Sequence, residues 1–346
     1  MTYNYKNVYL GDSYTIGGVY ESNGPLVGYF DKVYNKDFYY GEKSFEKAET
    51  RLLKENLLNL LRKTKKTEED IDLIISGDLQ NQIAASNYAI KDYNIPYLGI
   101  YSACATIGEA MIIASSFVEG KSAKNVIVST VSHNTSQEKQ FRNPVEYGTP
   151  KPDYSTFTAT GSASLLITSK KSKIKIESAT IGRIIDLGQT DVNNMGAVMA
   201  GAAADTIYRH LKDNNRSVDY YDLIVTGDLG KYGKEILKKY IKTKYNIELS
   251  NNYNDCGTML YDIDNQPVLA GGSGPACSAL VIFSYILKQM NENKLKKVLV
   301  VPTGAIFSPT RFFQKENIPA IAHAVSLEVI EWLIYMHFCF VDLFVW

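Results

Sequence analysis

Cys104 is the residue of this chain best placed for covalent chemistry. It lies in YSACATIGEAM, directly after the strand-like IPYLGIY and at the start of a helix rich in small residues. Unpaired amides and the positive end of the helix dipole at such a position stabilise a thiolate and lower the pKa of the thiol. The position therefore predicts a nucleophile; the alternative is a small buried side chain in a tight turn.

Other polar side chains follow a predicted strand in the same half of the chain. His133 begins the loop SHNTSQEKQFRNP after the strand NVIVSTVS, and Gln140 and Arg142 share that loop. We expect the loop to open near the cleft that contains Cys104, although a histidine at a loop start is often an ordinary surface residue. His323, in IPAIAHAVSLE, is expected to pack near the C-terminal end of the core.

An internal repeat organises the elements that carry these residues. Residues 72–79 read DLIISGDL and residues 222–229 read DLIVTGDL, 150 positions apart. Each copy is followed by a small-residue turn, a long apolar helix and another buried strand, as in SACATIGEAMIIASSFVEG and GSGPACSALVIFSYILKQM. The period is too long for a solenoid, so it predicts a duplicated half-domain.

Strands and helices alternate through both copies, which is typical of a mostly parallel sheet with helices on its faces. Leucines at helical spacing, with Ser44 as N-cap, predict a helix over 44–63. The polar, proline-bearing segment 137–160 lies between the halves, and loops of that length are usually functional or disordered. The other predicted elements are strand 71–75, helix 80–92, helix 197–212, strand 221–226, helix 231–244, strands near 258–261 and 266–270, helix 276–290 and strand 297–302.

Composition excludes several classes of protein. The 346 residues contain 37 Lys and Arg and 37 Asp and Glu, so a nucleic-acid partner is not expected. The four cysteines lack CxxC spacing, which argues against a zinc site or a disulfide framework and favours reduced thiols. The start, MTYNYKNVYLGDSY, has no charged region followed by an apolar stretch, so we expect no signal peptide.

The apolar segment 329–346 is long enough to raise the question of a membrane span. It carries Glu331 and Asp342, each of which costs about 2.5 to 3.5 kcal/mol at the centre of a membrane helix. These charges argue against a spanning helix. A buried terminal helix, an interfacial segment and a read-through artefact are the alternatives.

The duplication, the strand–cysteine–helix turn and the glycine cluster AGGSG at 270–274 resemble the thiolase superfamily. The resemblance implies an α/β fold in which two βαβαβαββ halves form a five-layered α-β-α-β-α sandwich. On this interpretation the first half covers 1–170, the second half covers 171–328, and the apolar tail follows at 329–346. Cys104 then occupies the place of the superfamily nucleophile.

The second half departs from the pattern of the condensing enzymes in this superfamily. Those enzymes use a His and an Asn or second His to activate the thiol and stabilise an oxyanion. Here DLIVTGDLGK places Gly227 and Asp228 at the first position, and NNYNDCGT places Asp255 at the second. An ionised carboxylate cannot donate to an oxyanion, so the resemblance predicts no catalytic residues and no enzyme.

A closer resemblance, from Gly24 to about Glu328, is to the stage V sporulation protein AD family. The segments that carry it are GPLVGYFD, YYGEKSFEKAE, SGDLQNQI, YSACATIGEA, SHNTSQEKQFRNPVEYG, VTGDLGKYG, NYNDCG and IAHAVSLE. The resemblance implies a non-enzymatic protein, without a cofactor, that binds dipicolinate (pyridine-2,6-dicarboxylate) alone or as its calcium chelate. It further implies a place on the cytoplasmic face of the spore inner membrane, with integral membrane partners of the same sporulation complex that move the ligand into the developing spore. Thiolase-like halves commonly pair into dimers, so a homodimer is also an expectation.

Dipicolinate is a flat ring with two carboxylates, so its site needs a cation, polar donors and a narrow apolar slot. Seven residues are the candidates. Arg142 offers a guanidinium fork, Lys231 a second cation at a helix start, and Gln140 a polar contact in the Arg142 loop. Cys104 and His133 would line the floor. Asp228 and Asp255 would receive calcium or pair with the cations. Asp78, the counterpart of Asp228, is expected only to hold a strand corner.

Two alternatives to ligand binding stay open. One is an acyl-transferring or condensing enzyme that uses Cys104 with an unconventional base such as His133. The other is a scaffold that only holds membrane partners. An acyl adduct on Cys104 distinguishes the first, and the absence of both adduct and ligand distinguishes the second.

Overall fold

The computed structural model describes residues 1–141 and 150–330. Its strands are β1 Thr2–Asn4, β2 Tyr9–Gly17, β3 Lys32–Val33, β4 Leu73–Gly77, β5 Tyr97–Gly99, β6 Asn125–Ser132, β7 Phe157–Thr158, β8 Gly161–Thr168, β9 Ile174–Thr180, β10 Leu223–Thr226, β11 Tyr253–Asp255, β12 Gly272–Ser273, β13 Lys297–Val301, β14 Thr303–Ala305, β15 Ala320–Ala322 and β16 Ala324–Val329. Its helices are α1 Phe45–Thr64, α2 Ala84–Ile90, α3 Thr106–Glu119, α4 Asn134–Phe141, α5 Met195–Asp213, α6 Gly230–Tyr245, α7 Cys256–Leu260, α8 Pro275–Val281, α9 Leu287–Asn291 and α10 Pro309–Phe313. A π-helical stretch, Ile282–Ile286, joins α8 to α9.

The sequence repeat corresponds to two sheets of the same topology. The first sheet has the order β5-β4-β6-β8-β2, and the second has the order β11-β10-β13-β16-β9. In both sheets the first three strands in that order are parallel and the last two pair antiparallel. The sheets meet where β2 pairs with β9 at Tyr9 and Lys175. The duplication predicted from the sequence is therefore a duplication of strand order as well.

The helices and sheets form five layers that pack around three hydrophobic cores. α1 and α2 pack on the outer face of the first sheet, and α5 and α6 pack on the outer face of the second. Between the sheets lie α3 and the continuous helix α8–α9, which contribute Ala, Ile and Val side chains to the central core. The five-layered α-β-α-β-α sandwich expected from the sequence is confirmed.

The repeated glycine in each Gly-Asp-Leu corner has a steric role. A Cβ on Gly77 would overlap the carbonyl oxygen of Ile100, and a Cβ on Gly227 would lie 2.7 Å from the amide nitrogen of Thr303. In both halves a neighbouring backbone passes directly over the end of the strand. Glycine is required here because there is no room for a side chain.

α1 begins and ends as its sequence predicts. The Ser44 side chain accepts a hydrogen bond from the amide of Lys47 at 3.3 Å, which caps the first turn. Leucines along one side are buried against the first sheet, and Lys65 closes the helix in a left-handed conformation with φ 55°.

Two predictions in the second half were wrong. Residues 256–260 form the helix α7 rather than a strand near 258–261, and 266–270 is a loop that makes one bridge, between Thr156 and Leu269. The strand of this region, β11, lies earlier, because its parallel register with β10 ends at Asp255, where the side chain takes up the amides of the next corner.

The helix predicted over 80–92 is shorter than expected. Gln82 and Ile83 have left-handed φ values of 60° and 50°, and α2 begins only at Ala84. The cause is the carboxylate of Asp78, which accepts the amides of Gln80 at 2.8 Å and Ser86 at 2.7 Å and draws the chain into a tight turn.

Most of the apolar tail at 329–346 lies outside the residues that the structure describes. β16 ends at Val329, and the rest of the apolar tail, 331–346, lies outside the described residues. Among the helices that are described, none is long and apolar enough to cross a bilayer.

Candidate functional site

Cys104 lies in a strained turn between β5 and α3. The residue before it, Ala103, has φ 49°, a left-handed conformation that costs a non-glycine residue about 1 to 2 kcal/mol. Hydrogen bonds offset this cost: the Thr106 hydroxyl donates to the Ala103 carbonyl at 2.6 Å and accepts from the amide of Ser102 at 3.2 Å. The turn holds the half-buried Cys104 side chain towards a cavity between the two halves.

This cavity, the Cys104 cavity, is small and largely apolar. Its volume is about 50 Å³. It combines both halves: Tyr101 and Gln137 come from the first, and Met195, Met199 and Phe307 from the second. The other lining residues are Leu79, Ala103, Cys104, Phe141, Thr158, Ser273, Gly274 and Ala305.

The carboxylate of Asp228 is held directly beside the thiol. It is buried and accepts hydrogen bonds from the hydroxyl of Thr303 at 2.7 Å, the hydroxyl of Ser273 at 2.9 Å and the amide of Gly274 at 3.1 Å. The Cys104 thiol lies within electrostatic reach of this carboxylate. The structure therefore brings together two of the residues predicted from the sequence, Cys104 and Asp228.

The thiol of Cys104 is not activated by this arrangement. Burial raises its pKa well above the ordinary value, and the charge of Asp228 raises it further. Burial likewise raises the pKa of Asp228. The expectation that the helix start lowers the pKa of the thiol was therefore wrong, because desolvation and a neighbouring acid outweigh the helix dipole.

His133 is engaged with other parts of the first half. Its Nε2 lies 2.8 Å from the carbonyl oxygen of Phe38, and its Nδ1 accepts from the amide of Thr135 at 3.2 Å. The ring is buried against Tyr40 and Phe45, and burial lowers its pKa. With both nitrogens occupied and no place in the lining of the Cys104 cavity, it is not arranged as a base for the thiol.

The Asp255 carboxylate is also engaged, by hydrogen bonds within the second half. It is buried and accepts from the hydroxyl of Thr226 at 2.7 Å, the amide of Leu229 at 2.9 Å and the amide of Gly230 at 3.0 Å. Burial raises its pKa to about 6. These three donors occupy the carboxylate that was expected to receive calcium or a cation.

Lys231 and Asp78 are likewise away from the cavity. Lys231 is exposed at the start of α6, and only its amide, which donates to the carbonyl of Ala270 at 2.7 Å, faces inwards. Asp78 holds the first-half corner, as predicted.

Gln140 lines a second, more open cavity that adjoins the first, and the two share Tyr101, Phe141 and Phe307. This outer cavity has a volume of about 640 Å³, and its rim carries the side chains of Gln80, Asn81, Gln82, Ser308 and Thr310. None of the described residues that line the two cavities is a lysine or an arginine. Arg142 lies outside the described residues.

Gln137 is a site residue that the sequence did not indicate. Its side chain is buried, and its Nε2 donates to both oxygens of Glu49, at 2.8 and 3.1 Å. These bonds fix the orientation of the amide, and Oε1 has no hydrogen-bond partner among the described residues. Gln137 therefore presents an unused acceptor in the wall of the Cys104 cavity.

His323 packs in the core, as expected from the sequence. Its Nδ1 accepts from the amide of Gly182 at 3.2 Å, and its Nε2 lies 3.4 Å from the hydroxyl of Ser102. Burial lowers its pKa to about 4, so the ring is neutral near pH 7. Through Ser102 it supports the turn that carries Cys104.

Comparison with solved structures identifies the fold. The chain is similar to 3-oxoacyl-[acyl-carrier-protein] synthase III from Aquifex aeolicus VF5, with 14% identity and a TM-score of 0.53 over 93% of this chain and 99% of that one. It is also similar to cerulenin-bound OleA from Xanthomonas campestris, with 10% identity and a TM-score of 0.61 over 95% of this chain and 100% of that one. At these identities the likeness establishes a thiolase-like fold and nothing about activity.

Comparison of sequences identifies the family. A curated relative, stage V sporulation protein AD of Bacillus subtilis strain 168, is 46% identical over 321 residues, which cover 93% of this chain and 94% of the relative. The family model described as stage V sporulation protein AD matches residues 2–328. This chain belongs to the stage V sporulation protein AD family, a family of sporulation proteins with a thiolase-like fold.

Proposed function

We propose that this protein binds dipicolinate, taken up as its calcium chelate, in the cleft formed by the Cys104 cavity and the outer cavity. The observation that carries the proposal is a shaped cleft whose cysteine lies beside the buried Asp228 carboxylate. Burial and the charge of Asp228 both raise the pKa of the Cys104 thiol, which argues against an activated nucleophile. Covalent catalysis needs an activated nucleophile, so the arrangement supports ligand binding over covalent chemistry.

The walls of the cleft suit a flat aromatic dicarboxylate. Met195, Met199 and Phe307 line a narrow apolar slot, which favours a planar ring. The exposed amide side chains of Asn81 and Gln82 in the lining of the outer cavity supply donors for carboxylate oxygens. The inner cavity is small, so the ligand occupies mainly the junction of the two cavities.

The charge of the site favours the chelate over the free dianion. Desolvating a dianion without a cationic partner is costly, and the described lining supplies no lysine or arginine. A one-to-one complex of dipicolinate with Ca²⁺ is neutral and avoids this cost. No group of three or more His, Cys, Asp or Glu side chains in the described chain is arranged to hold a metal ion, so the calcium would arrive with its chelator.

We further propose that the protein works on the cytoplasmic face of the spore inner membrane, with integral membrane partners of the same sporulation complex that carry the ligand into the developing spore. The proposal rests on family membership. It assigns this chain the step of gathering the ligand and its partners the step of transport.

Isothermal titration with dipicolinate, with and without equimolar calcium, tests the binding. We expect saturable heat that is stronger with calcium. Leu79→Trp, which fills the cavity mouth from a half-buried position, abolishes the heat, whereas Leu58→Trp on the exposed side of α1 leaves it unchanged. No heat with either form at millimolar ligand overturns the proposal and favours a scaffold.

A second candidate function is acyl transfer through Cys104. The strained Ala103 backbone, which directs Cys104 into the cavity, favours it. Incubation with acyl-coenzyme A followed by intact-mass measurement tests it. An acyl adduct that is lost in Cys104→Ser supports the enzyme, and an unmodified mass supports the binding protein.

A further inference from the structure

A lysine-rich groove lies at the opposite end of the strands of the first sheet from Cys104. It includes the starts of β2, β6 and β9 and the end of the antiparallel β8, whereas the Cys104 cavity lies beyond the ends of β4 and β10. Its volume is about 590 Å³. We call it the basic groove.

The groove concentrates positive charge in a chain that has no net charge. Six lysines line it: Lys63, Lys65, Lys66, Lys170, Lys171 and Lys173. Only two acidic residues line it, Asp12 and Asp70, which leaves a formal charge of 6 − 2 = +4. The Asp70 carboxylate accepts from the amide of Thr67 at 2.8 Å, keeps its charge and interacts with Lys66.

Several of these lysines are available to a partner. Lys63 pairs with Asp31 at 2.6 Å. In the part of the chain that is described, no ion pair within 4.0 Å uses Lys65, Lys66 or Lys170. Charged groups clustered without counter-charges repel one another, so a bound anion lowers their energy.

The shape of the groove distinguishes between anions. One wall is the C-terminal end of α1 and the residues just after it, with Lys63, Lys65 and Lys66. The other is the β8–β9 turn, with Lys170, Lys171 and Lys173. The floor includes the bulge in β2, where the pairing with β8 shifts between Leu10 and Ser13. A flat bilayer reaches only the rim of such a groove, whereas an extended chain of carboxylates lies between both walls.

The type of cation in the groove also favours an extended chain of carboxylates. All six are lysines, whose ammonium groups act as flexible point charges rather than as forks for one oriented phosphate. They suit a run of aspartates or glutamates whose carboxylates need no single fixed geometry.

We propose that the basic groove binds an acidic polypeptide segment of a partner protein. The inference does not depend on what the Cys104 cavity binds. Because the two sites lie at opposite ends of the strands, a partner bound in the groove leaves the cleft open.

Fluorescence anisotropy of a fluorescein-labelled hexaglutamate peptide, titrated with the full chain, tests the proposal. We expect binding that weakens when salt is raised from about 50 to about 300 mM. The variant K65Q/K66Q/K170Q should bind about tenfold more weakly. The control K36Q/K239Q/K315Q removes the same charge from exposed positions outside the groove, and its affinity should stay within about twofold of the wild type.

Three results overturn the proposal. The first is no peptide binding at millimolar protein, and the second is an equal loss in both triple variants, which indicates a non-specific charge effect. The third is sedimentation with phosphatidylglycerol vesicles that depends on the three groove lysines and that the peptide does not displace, which assigns the groove to a lipid surface. Thermal melts of both variants check that the fold is intact.

Discussion

The buried Asp228 carboxylate lies beside the Cys104 thiol, so an acid from the second half raises the pKa of a sulfur in the first. A base that received a proton from the thiol would activate it. This carboxylate instead adds negative charge beside a sulfur that burial already keeps protonated. The relationship accounts for a cysteine at a strained helix start that is not poised for attack.

Replacing Asp228 by Asn should therefore increase the reactivity of Cys104. The substitution removes the charge that raises the pKa of the thiol, so the pH midpoint of its alkylation by iodoacetamide should fall and the rate at pH 8 should rise severalfold. Intact-mass kinetics measure the rate, with Cys104→Ser defining the background of the other cysteines. The exposed Asp219→Asn serves as the charge control. A slower or unchanged rate in Asp228→Asn contradicts the role assigned to the carboxylate.

We expect replacement of a corner glycine by alanine to lower the free energy of unfolding substantially. Gly77→Ala places a Cβ against the carbonyl of Ile100, in the segment that leads to Cys104, and should destabilise the protein by about 3 kcal/mol. Gly28→Ala is the matched control, since a Cβ there meets nothing within 4 Å, and its effect should stay within about 0.5 kcal/mol. Urea unfolding measures both. Equal stability of the two variants contradicts the prediction, since it shows that the backbone at the corner moves to make room for the added methyl group.

The repeat and the layers could be predicted from the sequence because both depend on patterns within short segments. Local sequence alone indicates three of these features: the two Gly-Asp-Leu corners, the leucine-spaced helix α1 and the small-residue central helices. The strand β11 was missed because its place is set by the Asp255 carboxylate, which binds amides 25 and 26 positions away.

The site was harder to predict than the fold for the same physical reason. Gln137 acquires its role from Glu49, 88 positions earlier, which clamps its amide and leaves one oxygen unused. His133 looked available because the sequence does not show that Phe38 and Thr135 occupy both of its nitrogens. The repeat placed Asp228 just after a strand of the second half, and the structure has it after β10 with its carboxylate beside the Cys104 thiol.

The terminal strand of the first sheet predicts a homodimer. In the described sheet β5 ends the strand order, and Leu98 on it is 39% exposed. We expect two copies to pair through β5, since an unpaired edge presents free backbone donors and acceptors. Light scattering after size exclusion should give a dimer for the wild type, a monomer for Leu98→Lys and a dimer for the control Leu58→Lys on α1. A monomeric wild type, or a dimeric Leu98→Lys variant, contradicts pairing through this edge.

Glu21 predicts a pH dependence of stability that has a definite sign. Its carboxyl group is buried, accepts from the amide of Thr160 at 2.9 Å and from the hydroxyl of Tyr261, and burial raises its pKa from 4.5 to about 7. The folded state therefore holds this proton more tightly than the unfolded state. The contribution to stability is fully present below pH 4.5 and is lost as the pH rises to about 7.

Glu21→Gln should remove this dependence, because glutamine keeps an acceptor but cannot ionise. We expect the variant to be more stable than the wild type at pH 8, by up to about 3 kcal/mol, and to lose less stability than the wild type between pH 5 and 8. Urea unfolding at both pH values measures the difference, with the exposed Glu235→Gln as a control that keeps the wild-type slope. The same slope in Glu21→Gln as in the wild type shows that the dependence arises from other buried acids, such as Asp255.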